Sequence, residues 1–146
     1  MKIALGCDHG GYEHKEAIKE FLEEKGFTVT DFGIKEVHSV DYPDIALPVA
    51  KSVAEGENQM GILVCGTGIG MSLAANKVKG IRAAVCSDHF SAKYTRLHNN
   101  SNILCLGGRV IGIGTALELV DLFVTTQFEG GRHQARIDKI TNIENM

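Results

Sequence analysis

The sequence predicts an α/β fold in which one mostly parallel central sheet is covered by helices on both faces. Three observations carry this reading. Short β-rich runs alternate with longer stretches of helical periodicity along the whole chain. The short runs are almost continuously apolar, as strands buried on both faces must be. No linker, repeat, low-complexity tract or shift in composition interrupts them, so residues 1–146 read as a single domain.

Lys2 to Cys7 is the first strand. His14 to Lys25 is a helix, because Ala17, Ile18, Phe21 and Leu22 fall at helical spacing among Glu and Lys, with Gly26 as its C-cap. Thr28 to Phe32 is a second strand. Pro43 to Glu55 places Ile45, Val49 and Val53 on one helical face and is closed by Gly56, although Pro48 removes one backbone donor. Gly61 to Cys65 is the most apolar strand, and Met71 to Lys77 is a helix just beyond a glycine loop. Strand Arg82 to Cys86, helix Ser87 to Leu97 and strand Asn102 to Leu106 follow. An amphipathic helix over Gly114 to Thr126 and a final helix over Arg132 to Ile143 complete the chain. The order is that of a Rossmann-like three-layer α/β/α sandwich, in which ligands bind beyond the carboxyl ends of the strands.

Composition narrows the function. Apolar residues make up 44% and charged residues 23%, as in an ordinary soluble domain. The net charge of −3 offers no basic surface to nucleic acid or to an anionic membrane, so a bound phosphate must be met by locally placed cations. No apolar run approaches the ~20 residues that span a bilayer, and the N-terminus lacks a signal-peptide core. A cytoplasmic location is expected. The cysteines at 7, 65, 86 and 105 form no CxxC pair, and Cys86 and Cys105 read as small buried hydrophobes.

Polar residues gather at the predicted strand ends: Asp8-His9, Cys65 to Gly70, Ser87-Asp88-His89, and Gly107-Gly108-Arg109. The strongest signal is Cys65-Gly66-Thr67-Gly68-Ile69-Gly70-Met71-Ser72, where glycine alternates with other residues between a strand and a helix. Such a loop presents N–H groups to negative charge. It could also be a plain tight turn; the dinucleotide fingerprint is not matched, because the glycines at 66, 68 and 70 do not give GxGxxG. The thiol separates these readings. An anion cradle needs no base, whereas a cradle for an enediolate does, and a cysteine beside a helix start gains thiolate character. Thr67 can donate to a substrate oxygen or relay a proton.

Two further clusters stand out. His98 lies among amides in His98-Asn99-Asn100-Ser101-Asn102, either as a helix-end cap or as an acid–base group suited to opening a sugar hemiacetal. Arg132 and Arg136, at i and i+4 in Gly130-Gly131-Arg132-His133-Gln134-Ala135-Arg136, share a helix face and suit a phosphate, unless they are merely a solvated basic stripe. Asp8-His9-Gly10-Gly11 resembles another phosphate or hydroxyl contact turn. Asp8, His9 and Cys65 have no familiar metal spacing, so no metal is expected.

In order along the chain, Gly6 to Gly11, Asp41-Tyr42-Pro43-Asp44, Gly61 to Ser72, His98 to Asn102 and Leu106 to Arg109 resemble the type B ribose-5-phosphate isomerase family, which includes the galactose-6-phosphate isomerase subunits. The resemblance implies interconversion of D-ribose 5-phosphate and D-ribulose 5-phosphate in the pentose phosphate pathway. It implies Cys65 as the base that shuttles the C1/C2 proton, with Thr67 assisting, and His98 as the ring-opening group with Asp8 close by. Asn99 and the backbone amides of Gly66, Thr67, Gly68, Ile69 and Gly70 would hold the enediolate oxygens. Tyr42 would pack on the substrate, and His9, Arg109, Arg132 and Arg136 would surround the phosphate. No metal or organic cofactor is implied. The family's homodimers or tetramers share active sites between subunits, so the C-terminal arginines are expected to serve a neighbouring chain. A hexose 6-phosphate (allose or galactose) is the alternative substrate, and a non-catalytic phosphosugar-binding module the alternative class.

Overall fold

Strands β1 (Lys2–Cys7) and β3 (Met60–Cys65) run side by side at the centre of the molecule, which a computed structural model describes over all residues 1–146. β2 (Thr28–Asp31) pairs with the outer side of β1, while β5 (Ile103–Gly107) pairs with β3 and β4 (Ala83–Val85) closes the far edge. The order is β2-β1-β3-β5-β4 and every pairing is parallel. The chain leaves β1 toward one edge and then crosses to the other, so the switch point lies between β1 and β3.

Alternating side chains split the core into two layers. Ile3, Leu5, Ile62, Val64, Leu104 and Leu106 face α1 (Tyr12–Glu24) and α5 (Ile113–Thr125), where Ile18, Leu22, Leu119 and Phe123 are fully buried. Ala92 of α4 (His89–Asn99) joins this layer. Ala4, Leu63, Ile103 and Cys105 face α2 (Tyr42–Ala54) and α3 (Ile69–Ala75) through Val49, Ala50, Val53, Met71 and Ala75. The three-layer expectation holds, and the sheet is parallel throughout.

Element limits shift by at most two residues. Helix α1 begins at Tyr12, immediately after a 3-10 turn at His9–Gly11 whose N-cap is the Asp8 carboxylate. Helix α2 runs through Pro48 without ending, because only one hydrogen bond is lost while Val49, Ala50 and Val53 stay buried. Gly26 and Gly56 have φ of 91° and 82°, the left-handed values expected just beyond a helix. Helix α3 begins at Ile69, two residues earlier than predicted, and is only seven residues long. Helix α6 (Arg132–Glu144) buries only His133 and Ile137 and leaves Ile140 and Ile143 exposed. No helix is long and apolar enough to cross a membrane.

Candidate active site

Three strand ends meet at the switch point. The Asp8 amide donates to the Val64 carbonyl at 3.1 Å, the Gly108 amide to the Cys65 carbonyl at 2.8 Å, and the Arg109 amide to the Gly66 carbonyl at 3.0 Å. The turn after β1, the glycine loop after β3 and the turn after β5 therefore form one continuous wall. Asp8 is buried and its Oδ1 accepts from the Gly10 amide at 2.8 Å, whereas His9 and Arg109 are exposed at the rim. The Arg109 side chain lies alongside Gly66.

Within the glycine loop, the Gly68 amide donates to Cys65 Sγ at 3.1 Å, and the Ile69 amide to Thr67 Oγ1 at 3.2 Å. Two of the five amides expected to hold an oxyanion are thus already engaged by side chains. Those of Gly66, Thr67 and Gly70 donate to no protein acceptor. The Thr67 hydroxyl, accepting from Ile69, keeps its own proton free to donate. Gly68 has φ of 80°, and a Cβ there would meet the Leu106 carbonyl carbon at 2.9 Å, so the turn that brings its amide to the thiol requires glycine. A Cβ on Gly70 would lie 2.7 Å from the Tyr42 ring, so Tyr42 closes over the loop. Tyr42, Leu47, Gly70 and Leu73 line a cavity of about 470 Å³ beside it.

Burial pushes Cys7 and Cys86 up to about 11 and raises Cys105 well above the usual thiol range. All three are packed in the sheet layers and read as structural, as expected for Cys86 and Cys105.

The second cluster lies at the opposite edge of the sheet. β4 delivers the chain to α4 at the carboxyl edge, and the eleven residues of α4 carry it back toward the amino edge. There Arg82, which precedes β4, donates to the carbonyls of Asn99 and Asn100. Asn100 ends α4 in the left-handed conformation, φ 47°, with its side chain accepting from Arg96. His98 is half-buried. Its Nε2 is 3.6 Å from Glu129 Oε2, and its ring lies edge-on to Tyr94 and face to face with His133. Arg132 and Arg136 are exposed on α6 beside it.

Within one chain, therefore, Asp8, His9, Tyr42, Cys65, Thr67 and Arg109 gather at one sheet edge, and His98, Asn99, Arg132 and Arg136 at the other. Asp8 and His98 do not meet inside a single chain. Sequence spacing gives Glu129 and His133 no functional signal beyond their place beside Arg132 in Glu129-Gly130-Gly131-Arg132-His133. His98, Glu129 and His133 place ligand atoms within 4.8 Å of one another. The two imidazoles are nearly parallel, 13° apart, so their in-plane lone pairs run side by side and do not converge on an ion about 2.0 Å from each nitrogen.

Residues 3–140 match the sequence profile of the Ribose/Galactose Isomerase family. Ribose-5-phosphate isomerase B of Escherichia coli is 50% identical over 143 residues, 98% of this chain and 96% of that protein. The structure of Clostridium thermocellum ribose-5-phosphate isomerase B superposes with a TM-score of 0.98 at 52% identity, covering 99% of this chain and 98% of the other. The Mycoplasma genitalium ribose-5-phosphate isomerase B structure, solved with bound ribulose 5-phosphate, gives 0.96 at 43% identity over 99% of this chain and 96% of the other. A thiol held by a loop amide at the switch point, unpaired amides beside it and full-length similarity to these enzymes lead to one assignment: the chain belongs to the ribose/galactose isomerase family.

Proposed function

We propose that the chain interconverts D-ribose 5-phosphate and D-ribulose 5-phosphate through an enediolate. The observation that carries this reading is Cys65 Sγ beside the unpaired amides of Gly66, Thr67 and Gly70. In the open-chain aldose, the Cys65 thiolate takes the C2 proton, and the electrons move onto the C1 carbonyl oxygen. Amides aimed at that oxygen stabilise the charge as it develops. The proton returns from Cys65 to C1, and Thr67 relays the O2 proton to O1, giving the ketose with all atoms accounted for. His9, Arg109, Arg132 and Arg136 bind the phosphate by charge-assisted hydrogen bonds.

Ribose 5-phosphate circulates as a furanose, so the hemiacetal must open first. His98 takes the O1 proton and returns it to the ring oxygen as the C1–O4 bond breaks, so no proton is gained or lost. His98 and Cys65 stand at opposite edges of one sheet, which supports a homodimer in which His98, Asn99, Arg132 and Arg136 of one subunit complete the Cys65 pocket of the other. Exposed apolar side chains on the β4 side, Val85, Phe90, Ile140 and Ile143, suit such contact. The four free thiols are consistent with a reducing cytoplasm.

Solvent deuterium incorporation into ribulose 5-phosphate, followed by NMR, tests the reading. The native enzyme incorporates deuterium at C1 and yields ribose 5-phosphate. Binding without exchange would leave only a phosphosugar-binding module.

A further inference from the structure

We propose that His133 is a positioning residue for ring opening: its buried imidazole, stacked on His98, fixes the plane of that ring and the edge it offers to the sugar. The proposal rests on the assignment of His98 as the ring-opening group.

The chain is built to hold this stack. The Glu129 amide donates to the Leu97 carbonyl at 3.0 Å, tying the segment before α6 to the last turn of α4. Gly130 and Gly131 both have positive φ, 74° and 59°, so the chain turns sharply into α6. His133 then faces inward, 5% exposed, while Arg132 and Arg136 face solvent. The His98 and His133 ring centroids are 4.1 Å apart at 13°, and Tyr94 meets the His98 ring edge-on at 5.0 Å. One face of His98 is covered by His133, its ring meets Tyr94, and its Nε2 lies 3.6 Å from Glu129 Oε2, so three neighbours surround the ring.

His133 Nε2 is the one buried side-chain nitrogen or oxygen with no hydrogen-bond partner. A buried imidazole nitrogen without a partner is destabilising, so hydrogen bonding does not explain this placement. Burial, His98, Arg132 and Arg136 all disfavour a proton on His133, with Glu129 opposing, so its pKa is lowered. Held neutral, it leaves His98 free to take and return a proton without a second cation 4.1 Å away. Tyr94 on α4, Glu129 before α6 and the two arginines of α6 are the other polar groups around the pair.

The test exploits the substrates' chemistry. Ribulose 5-phosphate cannot close to a furanose, because its O5 carries the phosphate. Exchange of its C1 hydrogen with D2O therefore reports proton transfer alone, whereas turnover of ribose 5-phosphate also requires ring opening. His133→Ala is expected to lower ribose 5-phosphate turnover roughly 10- to 100-fold while leaving C1 exchange within about twofold. His133→Phe, which keeps a stacking ring, recovers most of the loss. Should the alanine variant not fold, His133→Phe and a titration of the native enzyme by NMR decide instead: the His133 ring signals stay flat through neutral pH. Equal effects on both assays, no effect on either, a phenylalanine variant as impaired as alanine, or His133 protonated at neutral pH would each overturn the proposal. His98→Asn separates the two levels. If it leaves ring opening intact, the underlying assignment fails; if it blocks ring opening and His133→Ala does not, only the inference about His133 fails.

Discussion

Cys65 Sγ accepts the Gly68 amide at 3.1 Å, and that one contact joins the proposed base to the backbone of its own loop. Gly68 can make it only from φ of 80°. The thiol and the unpaired amides of Gly66, Thr67 and Gly70 are thereby parts of one turn.

If Cys65 is the proton-transferring base, Cys65→Ala should lower turnover by at least about a thousandfold while the loop backbone stays. Phosphate-analogue binding, measured by calorimetry, should change less than about threefold. Cys86→Ala should retain turnover within about threefold and lower stability by ~1 kcal/mol, as a thiol packed in the core layer beneath α1 and α5. Loss of turnover in Cys86→Ala would show that the thiol roles are misassigned.

If the pocket is shared, two dead variants should rescue each other. Equal mixing of Cys65→Ala and His98→Asn subunits gives half heterodimers with one intact site in two, or about a quarter of native activity. Sites complete within one chain would give no recovery, and the activity of unfolded and reassembled mixtures distinguishes the cases.

Gly70→Ala should act on the substrate pocket through Tyr42, because the added methyl meets the ring at 2.7 Å. Displacement of Tyr42 should raise KM for ribose 5-phosphate by roughly fivefold with a smaller effect on kcat, as expected for a contact made equally in ground and transition states. An unchanged KM would remove Tyr42 from the pocket.

Lys15 anchors the segment after β2 from inside. Its Nζ, fully buried, is 2.9 Å from Asp31 Oδ2 and 2.8 Å from the Ile34 carbonyl. Burial opposes both charges, yet Asp31 and Glu16 hold the Lys15 pKa above its usual range, and Lys15 with the Gly33 amide holds Asp31 below its own. The pair therefore stabilises the fold above 3.8, the ordinary Asp value, and below 10.5, the ordinary Lys value, and is lost beyond those limits on either side. Lys15→Met should cost ~3 kcal/mol at pH 7, toward the low end for a broken buried pair because Lys19 and Lys35 also reach Asp31. Thermal melts from acid to alkaline pH check both the cost and the plateau.

Much of the fold is legible in the sequence. The β-rich runs ending at Cys7, Cys65, Cys86 and Leu106 are short and apolar, and every predicted strand forms. Pro48 weakened the reading of α2 only on local grounds, which burial of its apolar face overrides. Helix α3 begins two residues before its predicted start, because Ile69 and Gly70 already take helical backbone.

The sequence by itself determined the element order, the thiol in its glycine loop and the two arginines four residues apart, because these depend on local spacing and backbone conformation. Only tertiary structure decided where the groups meet. A helix after a strand returns to the opposite edge of the sheet, so α4 carries His98 away from Cys65 in the same chain. The stack of His133 on His98 joins residues thirty-five positions apart, and no local pattern encodes a contact made by packing one helix end against another.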